Sequence, residues 1–185
     1  MYAQLNTKTV FSFMDATVKL TDYITAAKTL GYQTLGISDV DNLHAAHQFI
    51  TQAKAAGIQP VIGYETTLLL DGLAINFTFI AKTNAGLQNL YSISSKKNFG
   101  YNNFSDIHSH LGDVALILPA DSAVDSILTH LPQNDVFVGL AQPMAQGFLR
   151  PTIPFLSVRY LNAGDAETLA ILHHVKNGTK YDDSL

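Results

Sequence analysis

Short runs rich in β-branched and aromatic residues alternate with longer stretches whose apolar positions recur every three to four residues. That rhythm predicts βα units around a mostly parallel sheet or barrel. Thr21-Asp22-Tyr23 reads as a helix start, Ile24, Ala27 and Leu30 follow at helical spacing, and Gly31 supplies the stop. A strand is expected at 34–38, a helix at 42–56 closed by Gly57, and a strand from Pro60 through residue 70. Asp71-Gly72 lies between two β-rich runs, so 66–70 and 73–81 should form a hairpin. Later strands are expected at 114–118, 136–140 and 153–160, and helices near 85–95, 121–130 and 165–176. The turn-rich stretch from Asn98 to Leu111 reads as loop. With a short opening run at 5–9 the count reaches seven strands, enough for an α/β fold closed as an irregular seven-stranded βα barrel. Internal repeats are absent.

Composition narrows the function classes. The chain has 185 residues, 47% of them hydrophobic and 14% charged, which suits one compact domain. A net charge of −4 disfavours phosphate backbones, and the adjacent pair Lys96-Lys97 reads as a solvated loop end, so no direct DNA binding is expected. There are no cysteines, which excludes disulfides, thiolate nucleophiles and Cys-containing metal sites. No apolar run approaches the roughly 20 residues of a bilayer span, and no leader pattern opens the chain, so a cytoplasmic location without membrane contact is expected. Dinucleotide, P-loop and Gly-x-Ser-x-Gly signatures are missing. Asp39-Val40-Asp41-Asn42 opens like a calcium loop but lacks its glycine and distal glutamate.

The strand ends carry a more specific pattern. Gly36-Ile37-Ser38-Asp39-Val40-Asp41-Asn42 is followed by a helix and then by Gly57-Ile58-Gln59-Pro60-Val61-Ile62-Gly63-Tyr64-Glu65. Phe79-Ile80-Ala81-Lys82-Thr83-Asn84, Gly86-Leu87-Gln88-Asn89-Leu90 and the run from Pro151 to Tyr160 come next. In order and spacing these stretches resemble the motifs of the PHP (polymerase and histidinol phosphatase) domain of bacterial DNA polymerase III alpha subunits. There, one strand ends in Thr-Asp-His-Gly-Asn and the next in Ile-Gly-Cys-Glu. The resemblance covers essentially the whole chain and implies an excised domain over 1–176, with 177–185 a tail at the boundary to a polymerase core.

An active site of that family clusters imidazoles and carboxylates at strand ends around up to three divalent metal ions, which activate water against a phosphate ester. Set against this pattern, the opening His-x-His falls on Asn6-Thr7-Lys8, and Asp39 is kept but the next His is Val40. Glu65 is kept, a further His matches Asn76, and the last Asp-x-His falls on Ser157-Val158-Arg159. The resemblance therefore implies a vestigial site with no catalytic residues, no metal ligands and no cofactor. Lys8 and Arg159 bring fixed positive charge, so either should lie within salt-bridge distance of Asp39 or Glu65 if those carboxylates point inward.

The remaining histidines have simpler readings. His108-Ser109-His110 sits in a polar loop or helix entry, where residues two apart on a helix face different ways, the His44/His47 pair lacks a completing carboxylate, and His173-His174 lies near a helix C-terminus, where the dipole favours it. The expectation is a scaffold that stabilises the polymerase core of its own subunit, its main partner, with other replisome proteins as possible partners. The alternatives are a residual metal-dependent 3′-5′ exonuclease or phosphoesterase, and a free-standing protein-interaction module of the replisome.

Overall fold

The computed structural model describes residues 3–120, 124–142 and 147–179. Six strands form one sheet in chain order: β1 (Thr34–Val40), β2 (Gln59–Leu70), β3 (Leu73–Ala81), β4 (Val114–Pro119), β5 (Val136–Leu140) and β6 (Thr152–Pro154). β1 and β2 are parallel, β3 is antiparallel to both β2 and β4, and β4, β5 and β6 run parallel to one another. The helices are α1 (Leu20–Thr29), α2 (Ala46–Ala55), α3 (Asn84–Asn98), α4 (Phe104–Ile107), α5 (Val124–Leu128) and α6 (Asp165–Asn177).

The interior of β1 is buried at five consecutive positions, as a parallel strand covered on both faces requires. Leu35, Ile37, Tyr64, Phe77, Phe79, Leu116 and Val138 build the sheet side of the core, against Phe49 of α2 and Leu90 and Ile93 of α3. The hairpin forms at the expected residues. Asp71 and Gly72 both take positive φ (50° and 82°), the pairing that suits the twist of a two-residue hairpin turn.

Three expectations are corrected. The opening run 5–9 is not a strand and makes only isolated bridges, Gln4 with Leu35 and Thr7 with Val158. Gln4 and Thr7 carbonyls accept from Gly36 and Ser38, three residues set against two, and such a bulge breaks a continuous ladder. Among the described residues the sheet therefore has six strands, curled, and not seven. The strand expected at 153–160 ends at Pro154, after which Phe155 donates to the Leu140 carbonyl and Val158 pairs with Asn6 and Lys8 instead. The stretch 98–111 is not all loop: α4 and a single 3-10 turn, His108–His110, lie within it. A capping box between Asn103 and Asp106 starts α4, and Phe104 packs on Phe77 with ring centroids 5.0 Å apart. The helix expected at 121–130 is observed as α5, its first residues 121–123 lying outside the described ones, as do residues 180–185 of the expected tail.

Candidate functional site

Parallel pairing sets the C-terminal end of β1 beside the middle of β2, opposing Val40 to Glu65, and β3 then brings Thr78 opposite Glu65 and Asn76 opposite Thr67. Residues 4–8 run along β1, with Asn6 and Lys8 two apart and buried. Asn6, Glu65, Asn76, Thr78, Ser157 and Arg159 consequently line one cavity of about 430 Å³. Five of the eight positions singled out from sequence therefore share one cavity, and Lys8 bonds to two of its walls.

Lys8 is fully buried, and its ammonium donates to Glu65 Oε2 at 2.7 Å, Asn6 Oδ1 at 2.7 Å and the Ser38 carbonyl at 2.5 Å. All three of its N–H bonds are used, which is the arrangement that stabilises the charged form of a buried lysine. Burial nevertheless lowers its pKa below the usual lysine value, and Glu65 works against that shift. Glu65 also accepts from Thr78 Oγ1 at 3.3 Å.

Asp39, 2% exposed, faces a different set of partners. Its carboxylate accepts from Thr9 N at 2.6 Å, Thr9 Oγ1 at 2.7 Å and Ser12 Oγ at 2.6 Å, so both of its oxygens are engaged by the loop after Lys8. Thr9 and Ser12 were not singled out from sequence. Their spacing fits a turn around an acceptor, but the acceptor is 27 or 30 residues away and only folding supplies it. Val40 contributes its backbone N–H to Ser12 Oγ and no ligating atom.

Arg159 does not join Asp39 or Glu65. Its guanidinium pairs with the Asp15 carboxylate, which also takes His173 Nε2 at 3.2 Å and has Lys176 at 3.9 Å. Asp15 was missed because no local pattern marks it. His173 thus pairs across the fold, while His174 Nδ1 meets Thr179 Oγ1 at 2.8 Å. His44 and His47 are exposed, as is His108 in the 3-10 turn, and none of the three lines the cavity.

The donor set does not fit a divalent metal cluster. An ammonium already sits on Glu65 Oε2, three N–H and O–H donors engage Asp39, and neutral amides or a hydroxyl stand at Asn6, Asn76 and Ser157. Among the described residues no group of three or more His, Cys, Asp or Glu could hold a metal ion, and no helix is long and apolar enough to cross a membrane.

Comparison with known proteins agrees with this architecture. The chain is 36% identical over 180 residues to DNA polymerase III subunit alpha of Streptococcus pyogenes serotype M3, covering 96% of this chain and 17% of that protein. It is 32% identical over 194 residues to the subunit of the same name from Staphylococcus epidermidis, again spanning 17% of its length. A solved two-domain Bacteroides vulgatus protein, described as containing a predicted PHP-like metal-dependent phosphoesterase, superposes with a TM-score of 0.54 at 12% identity over 85% of this chain and 52% of that one, a likeness of fold alone. The PHP domain model matches residues 4–140, and the chain belongs to the PHP domain family.

Proposed function

We propose that this chain is a catalytically silent PHP domain that stabilises and positions the polymerase core of a bacterial DNA polymerase III alpha subunit during replication in the cytoplasm. The observation that carries the reading is the buried Lys8 ammonium on Glu65, with a full set of three acceptors. In this reading one fixed cation holds the old site together where other family members use metals, and neither metal nor catalytic residue remains. The names of the relatives support the polymerase assignment, and the polymerase core is the partner it implies. Hydrogen bonds from residues 4–8 to β1 on one side and to Val158 on the other support reading the curled sheet as a distorted barrel completed by this segment. The end of α6 at Asn177, followed by left-handed Gly178, supports a domain over 1–176 with 177–185 as a connector.

The test combines elemental analysis with a hydrolysis assay. After dialysis the protein should carry no stoichiometric zinc, manganese or iron, and should not hydrolyse single-stranded DNA or p-nitrophenyl phosphate above an Asp39→Ala/Glu65→Ala control, with or without added manganese. A tightly bound metal would sink the silent-scaffold reading, and manganese-dependent hydrolysis lost in the control would favour the residual exonuclease or phosphoesterase instead. Co-purification with a separately produced polymerase core tests the scaffold role, and failure to associate counts against it.

A further inference from the structure

We propose that the turn after α3 is a stacking platform for single-stranded nucleic acid. The helix closes at Phe99 with Gly100 in the left-handed region (φ 89°), Gly100 N–H donating to the Lys97 carbonyl and Tyr101 N–H to the Lys96 carbonyl. This Schellman closure turns two rings outward. Phe99 is 83% exposed and Tyr101 51%, although both could have served a core that elsewhere buries phenylalanines completely. Lys96 Nζ sits over the Tyr101 ring, 5.1 Å from its centroid, and Tyr101 is still half exposed. Lys97 is fastened by bonds to the Thr67 carbonyl (2.8 Å) and, at 2.7 Å, to Oδ1 of Asn102, the residue next to Tyr101, so its charge is held at the same turn.

Charge complementarity selects the occupant. Although the chain carries −4 overall, residues 72–105 contain no Asp, Glu or Arg and three lysines. One of these, Lys82, is committed to Asp135, leaving Lys96 and Lys97 as the cations of the turn. The acid next in sequence, Asp106, is turned to the start of α4, where it accepts from the Asn103 backbone and side chain. Open aromatic faces beside fixed ammonium groups meet the two demands of an unpaired strand, stacking for its bases and neutralisation for its phosphates. A duplex offers no free base face to such a turn. The net charge of the chain predicted no nucleic-acid binding, and the inference reverses that on the local distribution of charge. It does not rest on the scaffold reading, because none of these residues lines the cavity at Glu65.

Fluorescence anisotropy with a labelled oligothymidylate at low salt tests it. The chain should bind, and log K should fall with log salt at a slope of about −1.4 for two cations. Phe99→Ala and Tyr101→Ala should each weaken binding by about tenfold, and an abasic strand of equal length should bind the unaltered chain correspondingly worse. Phe99→Trp should retain affinity, and thermal unfolding of all variants should match the parent, so that misfolding cannot imitate the effect. Absence of binding at low salt overturns the proposal and leaves the patch to a protein contact. Equal binding by the alanine variants, or by the abasic strand, also overturns it, since attraction to phosphate alone would then suffice.

Discussion

Replacing Lys8 with methionine keeps an unbranched side chain one heavy atom shorter and removes the ammonium with its three donors. Glu65, whose side chain is 11% exposed, then loses its counter-charge while remaining inside the fold. Breaking a buried pair from one side costs on the order of 3–5 kcal/mol, and for a chain of this size that lowers Tm by roughly 6–20 °C. The Asn6 side-chain oxygen and the Ser38 carbonyl lose a donor as well, each loss costing about 1–3 kcal/mol where water cannot enter. Adding Glu65→Gln to the Lys8→Met protein removes the stranded charge and introduces an amide that can donate toward those acceptors. The double variant should therefore be more stable than Lys8→Met alone, with a coupling energy of about 1–3 kcal/mol. The assay is a complete double-mutant cycle by urea unfolding near neutral pH, with thermal melts alongside. Additivity within about 0.5 kcal/mol, or a Tm shift under roughly 2 °C for Lys8→Met, would refute the internal-cation argument and leave an ordinary decayed site.

Burial raises the Tyr64 phenol to about 12. Since the unfolded value is near 10, the folded chain retains a proton that the unfolded chain releases; the stabilisation is whole below pH 10 and lost as pH rises toward 12. Tyr64→Phe should flatten this alkaline fall, on the order of 2–3 kcal/mol, in urea titrations at pH 9 to 12; an unchanged slope would place the effect elsewhere. Gly86→Ala should destabilise although alanine favours helices, because a Cβ there would collide with the Asp113 carbonyl oxygen across the α3–β4 connection; a gain in Tm refutes this. Asp15→Asn should speed amide exchange and protease cleavage in α6, because only Leu169 of that helix is buried and Arg159, His173 and Lys176 converge on Asp15; unaltered exchange over 165–177 would show that packing alone holds the helix.

The sequence by itself determined the elements whose signals are local. Asp71-Gly72 could serve only a tight hairpin, Gly31 and Gly57 end helices at positive φ, and the apolar run of β4 fits a strand covered on both faces. The Asn103–Asp106 capping box was equally present in the sequence, but the surrounding Asn and Gly residues concealed it behind turn chemistry. It also determined that no imidazole stands at positions 6, 8, 40, 76, 157 or 159, and that positions 8 and 159 carry fixed positive charge. What it could not determine is which charge meets which. Lys8 and Arg159 looked equivalent on the chain, yet the bulge in residues 4–7 carries Lys8 under Glu65, whereas the early end of β6 at Pro154 leaves Arg159 beside Asp15. Asp39 likewise became an acceptor for Thr9 and Ser12 and not a partner for a cation. Helix and turn propensities act over a few residues, whereas these pairings join groups 27 to 144 positions apart. Their geometry depends on a bulge and on the end of a short edge strand, where a shift of one residue exchanges the inward face for the outward one.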